Sequence, residues 1–288
     1  MSEIKTIVIR QMHIEDITKC MLLSDAEQWN QTEKDWKRLI NGPKNHCMVA
    51  ELDHRIIGTA TAMNYSNEIA WIGMMLVDTD FRRRGISKML LGDLLNQLRI
   101  CRSVKLDATP AGQPVYEKFG FKPEYIINRM TSSSLLNLQV SESESTPEQM
   151  QKTDINEVLQ LDQHVFGAYR SYLFNSIIRD NPGKVSIIKR DGYITAFSLV
   201  RKGKRYLHIG PVISTNLRDA KDLILGILLK VHKEPVVVDV LADKQDLILW
   251  LNTSGLTKQR HFVRMYLQQN PIPGIIKNQY LICGPEFG

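Results

Sequence analysis

The chain has 288 residues, of which 43% are hydrophobic and 24% charged, and its formal net charge is +6. This composition is typical of a globular protein and excludes a collagen-like or intrinsically disordered chain. The length exceeds what one compact core usually fills, so two domains are expected. The longest apolar runs, such as residues 223–229, are too short to span a bilayer, and no membrane partner is expected.

The four cysteines are scattered, without a CxxC pair or a metal-ligand spacing, so the sequence predicts reduced thiols and no metal site. No basic stretch followed by an apolar one marks a secretory leader, which predicts a cytoplasmic protein. The positive net charge permits an anionic partner. However, the basic residues are dispersed apart from Arg82, Arg83 and Arg84, and no nucleic-acid-binding motif accompanies them, which argues against nucleic acid.

The apolar periodicity of the first half predicts a mixed α/β fold. Glycine, proline and polar turns separate the predicted elements, and Gly120 ends the last helix. In chain order we expect a strand over 6–12, a helix over 14–29, a hairpin of strands 47–52 and 56–63, a strand over 69–77, a helix over 86–98, a strand over 104–108, a helix over 114–119 and a strand over 121–130.

Residues 132–148 are rich in serine and glutamate and poor in bulky side chains, which is typical of a linker. The boundary is placed near Leu138. The sequence therefore predicts an N-terminal domain over 1–137, a linker over 138–148 and a C-terminal domain over 149–288.

Five short segments of the first half recur, in the same order, in the second. Such ordered self-similarity predicts two copies of one fold. Residues 53–58, 71–73, 89–95, 105–107 and 119–121 correspond to residues 191–196, 208–210, 223–229, 237–239 and 254–256.

The most informative stretch is residues 71–88, where an apolar strand leads through a short basic loop to a helix. The first turn of a helix exposes unpaired N–H groups and a partial positive charge, which suits phosphate. Gly85 would let a ligand approach the backbone closely, and Arg82, Arg83 and Arg84 add positive charge for a pyrophosphate or ribose phosphate. Neither a Walker loop nor a GxGxxG dinucleotide fingerprint is present.

These residues resemble the GCN5-related N-acetyltransferases (GNAT). The pattern of Arg82, Gly85 and Ser87 is similar to the family's [QR]-x-x-G-x-[GA], with serine as the last small residue, and residues 116–121 resemble its Y-E-K-x-G-F segment. Residues 29–36 and 106–112 are similar to a bacterial subfamily that carries a second, degenerate GNAT-like domain. The resemblance implies an α/β (α+β) fold of two tandem GNAT-like domains, each a mixed, mostly antiparallel sheet flanked by helices.

The resemblance also implies an N-acetyltransferase, without metal, in which a primary amine attacks acetyl-CoA directly in a ternary complex. Tyr116 would be the acid that protonates the leaving thiolate, and the Met75 amide would stabilise the oxyanion. The residues implied in cofactor binding are Met75, Leu76, Val77, Arg82, Arg83, Arg84, Gly85, Ile86, Ser87, Lys88 and Thr109. Those implied in acceptor binding are Trp29, Asn30 and Trp71.

A general base is harder to place. Trp71 occupies the strand position where relatives often carry a glutamate, and it cannot accept a proton. Glu27, Glu68, a water molecule, or an amine that arrives neutral remain alternatives.

In the second half, residues 216–221 correspond to the basic loop, with Asp219 in place of the glycine. Its charge would oppose a pyrophosphate. The residues that correspond to Tyr116 are Trp250 and Leu251. We therefore expect the second domain to bind no cofactor and to shape the acceptor site, form a homodimer, or bind another ligand.

Two alternatives to an N-acetyltransferase acting on a small-molecule or protein amine stay open. One is a CoA-binding regulatory or adaptor protein without turnover, which the missing carboxylate suggests. The other is a basic module associated with nucleic acid, for which only the net charge argues.

Overall fold

The computed structural model describes residues 6–134, 146–231 and 234–288. In these ranges a continuous sheet of 13 strands is flanked by helices. The predicted linker lies outside the described residues, except for 146–148. No helix within the described ranges is long and apolar enough to cross a membrane.

The two halves repeat the same order of elements, which confirms the predicted tandem fold. The first half contains β1 (Val8–Gln11), α1 (Ile17–Ala26), α2 (Glu33–Asn41), β2 (His46–Leu52), β3 (Arg55–Tyr65), β4 (Ile69–Val77), α3 (Ile86–Gln97), β5 (Ser103–Ala108), α4 (Gln113–Glu117) and β6 (Phe121–Ser132). The second contains β7 (Glu148–Gln149), α5 (Ile155–Phe166), α6 (Ser171–Asp180), β8 (Val185–Arg190), β9 (Tyr193–Lys202), β10 (Leu207–Ser214), α7 (Leu217–Val231), β11 (Val236–Leu241), α8 (Gln245–Thr253), β12 (Thr257–Leu267) and β13 (Gln279–Leu281).

The helix expected over 14–29 is shorter than predicted, and sequence reasoning missed α2. Ala26 ends α1, and the chain then turns through Gln28, whose φ is +56°. Thr32 restarts a helix because its side chain and that of Asp35 satisfy each other's backbone N–H groups. Residues 27–31 therefore form a turn between α1 and α2.

The strands run in the order β1-β2-β3-β4-β5-β12-β6-β11-β13-β10-β9-β8-β7. The pairs β4–β5 and β10–β11 are parallel, and the remaining neighbours pair antiparallel. The last long strand of each half lies in the other half's part of the sheet: β12 pairs with β5, and β6 pairs with β11. The sheet is therefore completed across the predicted domain boundary.

Two buried ion pairs hold the exchanged strands. Arg129 on β6 donates to both carboxylate oxygens of Asp239 on β11, at 2.8 and 2.7 Å. Arg264 on β12 donates to both oxygens of Asp107 on β5, each at 2.9 Å. Asp107 and Asp239 are corresponding positions of the repeat, so the two pairs are internal copies of one interaction. Bidentate geometry of this kind fixes the position of an arginine against a neighbouring strand.

We expect Arg264→Met to lower the free energy of unfolding by about 3–5 kcal/mol, because it leaves the buried Asp107 carboxylate without its counter-charge. Adding Asp107→Leu should restore much of the loss. Chemical denaturation measures both effects. The control is Arg102→Met, which removes an exposed ion pair to Glu68 and should change stability by less than about 1 kcal/mol. An Arg264→Met variant as stable as the control would contradict this interpretation.

Candidate functional site

The cavity of interest opens where β4 and β5 part. Their parallel pairing runs from Ile69 opposite Ser103 to Ile72 opposite Leu106 and stops there. On the other side of β4, Ala60 of β3 faces two residues, Met74 and Met75, and φ of Met74 is +48°. This bulge bends β4 away from its neighbour. The resulting cavity has a volume of about 870 Å³.

The first wall of the cavity is the free edge of β4 and the loop that follows it. Within the described residues, β4 has no strand partner on this side beyond Ile72, so its backbone is open to the cavity. Met75, Leu76 and Val77 all line it. The structure thus brings the three predicted strand residues to one surface.

The N-terminus of α3 forms one end of the cavity. Gly85 caps this helix with φ of +80°, and a Cβ built on it would meet no atom within 4 Å. The Lys88 amide donates to the Gly85 carbonyl at 3.0 Å, whereas the amides of Ile86 and Ser87 have no partner within the helix. Ile86, Ser87 and Lys88 line the cavity here.

Positive charge surrounds the same helix end. Arg82 and Arg83 line the cavity with Lys88. Arg82 is held in place, since its Nε donates to the Val77 carbonyl at 3.1 Å and its Nη2 pairs with Glu27. Arg84 is not part of the lining; its guanidinium lies 5.1 Å from the Phe81 ring centre. The arrangement can bind an anionic group by amides and cations together.

Thr109 and Tyr116 lie on the opposite wall. The Tyr116 side chain is 9% exposed and packs edge-on against Phe121, with ring centres 5.9 Å apart. Its hydroxyl makes no hydrogen bond to a described residue. Burial raises the pKa of this phenol above its usual value, so it stays protonated at neutral pH and can donate a proton.

The structure does not bring the three predicted acceptor-binding residues together. Trp29 lines the cavity, whereas Asn30 and Trp71 do not. The Asn30 side chain instead binds the backbone of residues 205–206, at 2.9–3.1 Å. Trp71 is buried in the core that joins the two halves, with the Arg264 guanidinium 4.4 Å from its ring centre.

The two glutamates considered as general bases differ in their position relative to the cavity. Glu27 lines the cavity but is paired with Arg82. Glu68 lies outside it, in an exposed ion pair with Arg102 at 2.6 Å.

Sequence reasoning missed the wall contributed by β6, β12 and residues 285–286. Arg129, Arg260 and Phe262 enter the cavity because β6 and β12 are exchanged, and Pro285 and Glu286 complete this side. The two guanidiniums lie 5.0 and 5.3 Å from the Phe262 ring centre. The available signal was two arginines four residues apart, at 260 and 264, in the strand Thr257–Leu267.

The corresponding cleft of the second half is filled. Strands β10 and β11 pair over Leu207–Ile209 and then part, but β13 lies between them beyond that point. The Asn216 side chain accepts from the Asp219 amide at 2.9 Å, and Asp219 pairs with Arg190 at 3.0 Å. No group of three His, Cys, Asp or Glu residues suited to a metal occurs within residues 6–134, 146–231 and 234–288.

Two sequence profiles, each described as an acetyltransferase (GNAT) domain, match residues 15–125 and 158–281. The chain is a tandem GNAT protein. A holothin acyltransferase from Pseudoalteromonas sp. (strain SANK 73390) is 26% identical over 85% of this chain and 83% of the relative. An uncharacterized N-acetyltransferase, YitH of Bacillus subtilis (strain 168), is 22% identical over 61% of this chain and 62% of the relative. This GNAT protein is an acyltransferase.

Solved structures share its fold. A Pyrococcus horikoshii protein that is proposed to be an acetyltransferase superposes with a TM-score of 0.81 at 22% identity, covering 98% of this chain and 96% of that one. A tandem GNAT protein from the clavulanic acid biosynthesis pathway gives a TM-score of 0.67 at 13% identity, covering 91% and 98%.

Proposed function

We propose that this GNAT protein transfers acetyl from acetyl-CoA to a primary amine of a small molecule or protein, by direct attack in a ternary complex. The observation that carries the proposal is that one cavity is lined by the free edge of β4, the helix end at Gly85 and Tyr116. A thioester donor needs these three elements together: a strand to hold its arm, an anion site for its pyrophosphate, and an acid for its thiolate.

The anion site fits a pyrophosphate. The space around Gly85 is open, so phosphate oxygens could reach the first two amides of α3, which have no partner within the helix. Arg82, Arg83 and Lys88 would balance the phosphate charge. The backbone of residues 75–77 would lie beside the pantetheine arm. The Met75 amide would donate to the acetyl oxygen as negative charge develops on it.

Tyr116 would act as the acid. A protonated phenol on the opposite wall can give its proton to the sulfur as the carbon–sulfur bond breaks. The amine must lose a proton before it can attack, because an alkylammonium has a pKa of about 10.4.

A CoA-binding protein without turnover is the alternative, and it is supported by Trp71, which leaves no carboxylate at that position of β4. The names of related proteins guide the choice of acceptors. One curated relative is named for acyl transfer to holothin, and one solved structure with a TM-score of 0.69 is described as a glucosamine N-acetyltransferase region.

The test is thiol release from acetyl-CoA with a panel of amines: holothin, glucosamine, amino acids, polyamines, aminoglycosides and peptides. Wild type should release thiol with at least one of them, and calorimetry should show one acetyl-CoA per chain, because β13 fills the second cleft. Gly85→Glu should weaken acetyl-CoA binding more than about 100-fold, since a carboxylate would enter the pyrophosphate site.

Gly192→Glu is the matched control. Gly192 has φ of +84° and equally open surroundings, so the substitution adds the same strain and charge at a hairpin remote from the cavity. If both variants bind acetyl-CoA like wild type, the site assignment is wrong. Binding without thiol release on any amine would favour the regulatory alternative.

Tyr116→Phe should lower kcat about 10²-fold on the acceptor identified, with little change in acetyl-CoA affinity, because the ring still fills its space. Since burial raises the pKa of the phenol, wild-type kcat should not fall with tyrosine ionisation below the usual pKa of about 10. Steady-state kinetics across pH measure both. Near-wild-type kcat in the variant would remove the acid role.

A further inference from the structure

Glu286 lies directly against the strand that borders the cavity. A Cβ built on Gly73 would lie 2.9 Å from Cα of Glu286 and 3.2 Å from its Cβ. Such an approach leaves no room for a side chain at position 73. Gly73 is the residue immediately before the bulge of β4, so Glu286 enters the cavity where the acetyl group is proposed to lie.

The Glu286 side chain is buried and only half satisfied. The residue is 2% exposed, and its Oε1 forms an ion pair with Arg201. Its Oε2 has no hydrogen-bond partner among the described residues. A buried carboxylate oxygen without a donor is costly, and in native sites such an atom usually meets water or a ligand.

Several contacts fix the segment that carries Glu286. Trp71 Nε1 donates to the carbonyl of Pro285 at 3.0 Å, and the Tyr65 hydroxyl donates to the carbonyl of Phe287 at 2.7 Å. Thus Trp71, which stands where the resemblance leads one to expect a carboxylate, positions the residue next to Glu286. A carboxylate held by a rigid frame loses little freedom when it meets a substrate.

Two arginines lie close enough to Glu286 to interact with its charge. Arg201 also pairs with Asp35 at 3.1 Å, and although burial opposes its charge, Asp35 and Glu286 raise its pKa above the usual value. Arg129 adds a second positive charge nearby.

Two further titratable neighbours, Tyr65 and Cys283, are uncharged. Burial raises the pKa of Tyr65 well above its usual value and that of the Cys283 thiol to about 11, so both groups are neutral near pH 7.

We propose that Glu286 is the general base of the transfer, a proposal that rests on the acetyltransferase function given above. Its Oε2 takes one proton from the acceptor ammonium, directly or through one water, and the amine lone pair then forms the carbon–nitrogen bond. The carbon–sulfur bond breaks, and Tyr116 gives its proton to sulfur. The second nitrogen proton passes through water to the Tyr116 phenolate and restores the phenol. Glu286 then releases its proton to solvent, so one proton is released per turnover.

The test compares Glu286→Gln with wild type across pH, using the panel amine that wild type acetylates fastest. At pH 7 the variant should lose about 10²–10⁴-fold in kcat/KM. This deficit should shrink as pH rises toward the pKa of the amine, since the acceptor then arrives neutral. Acetyl-CoA affinity should stay unchanged. At pH 7, an acceptor whose amine has a low pKa should reduce the difference in kcat/KM between Glu286→Gln and wild type.

Asp35→Asn is the matched control, because it removes the other carboxylate of Arg201 but Asp35 does not line the cavity. It should keep the wild-type pH profile even if its melting temperature falls. A Glu286→Gln loss that is equal at every pH would indicate a structural role and overturn the proposal, as would wild-type rates. Wild type that binds acetyl-CoA but acetylates no amine would instead refute the function itself.

A second inference rests on a different observation, the guanidinium of Arg260, which forms no direct ion pair within the described residues. Its Nε is buried without a hydrogen-bond partner, and the side chain makes no ion pair within the described residues. Burial and the charge of Arg129 lower its pKa. Arg129, by contrast, is balanced by Asp239. Asp239 and Glu27 act on Arg260 only from a distance, so within the described residues the cavity presents one half-buried guanidinium without a direct ion pair.

We infer that Arg260 binds an anionic group of the acceptor, a carboxylate or a phosphate, so that the substrate carries both an amine and an anion. A guanidinium matches either group through paired N–H donors. Arg260 lies beside Phe262 on β12, and in the sheet β5 separates β12 from β4, the strand that leads to the helix end assigned to the pyrophosphate.

Matched acceptors test this inference: amino acids against their α-amides, and O-phosphoethanolamine against ethanolamine. Wild type should prefer the anionic member of one pair about 10–100-fold in KM, which also distinguishes carboxylate from phosphate. Arg260→Gln should abolish the preference. Lys258→Gln, an exposed change on the same strand, is the control. Equal use of both members by wild type, or a weaker acetyl-CoA affinity in Arg260→Gln, would overturn it.

Discussion

Parallel strands β4 and β5 share hydrogen bonds only as far as Ile72, and the geometry of the site depends on this parting. Beyond it, the backbone of β4 needs partners that the sheet does not provide. The second half shows what happens when the protein itself provides them, since β13 enters the corresponding gap between β10 and β11. One fold thus gives an open cleft in one copy and a filled one in the other, which is why a single site is proposed.

The exchange of β6 and β12 determines what the open cleft can recognise. It places a wall of the second half, including Arg260 and Phe262, opposite the loop of the first. The buried Arg–Asp pairs fix the register of the exchanged strands; desolvation offsets most of their attraction, so positioning is their main contribution. A slip of one residue would turn every cavity-facing side chain of these strands to the other face. The second half is therefore part of the site although its own cleft is closed.

Trp71 stands at a strand position without a carboxylate, but it contacts a segment near the end of the sequence that carries one. As a residue of β4 it cannot take a proton, yet its indole N–H holds the Pro285 carbonyl and so positions Glu286 against Gly73. Glycine at 73 is what makes this approach sterically allowed. The carboxylate comes from a remote segment and the strand provides its support, so the two are coupled through backbone contacts.

The sequence alone determined the tandem fold, the cavity-lining positions around Gly85 and the place of Tyr116, because these features depend on local periodicity and on short motifs. It could not find α2, whose start depends on a turn at Gln28, nor assign Asn30 and Trp71 to the contacts they make. Arg129, Arg260 and Glu286 were also beyond its reach. These residues line the cavity only because of strand exchange and packing between distant segments. A local sequence pattern does not predict which distant residues the folded chain brings together.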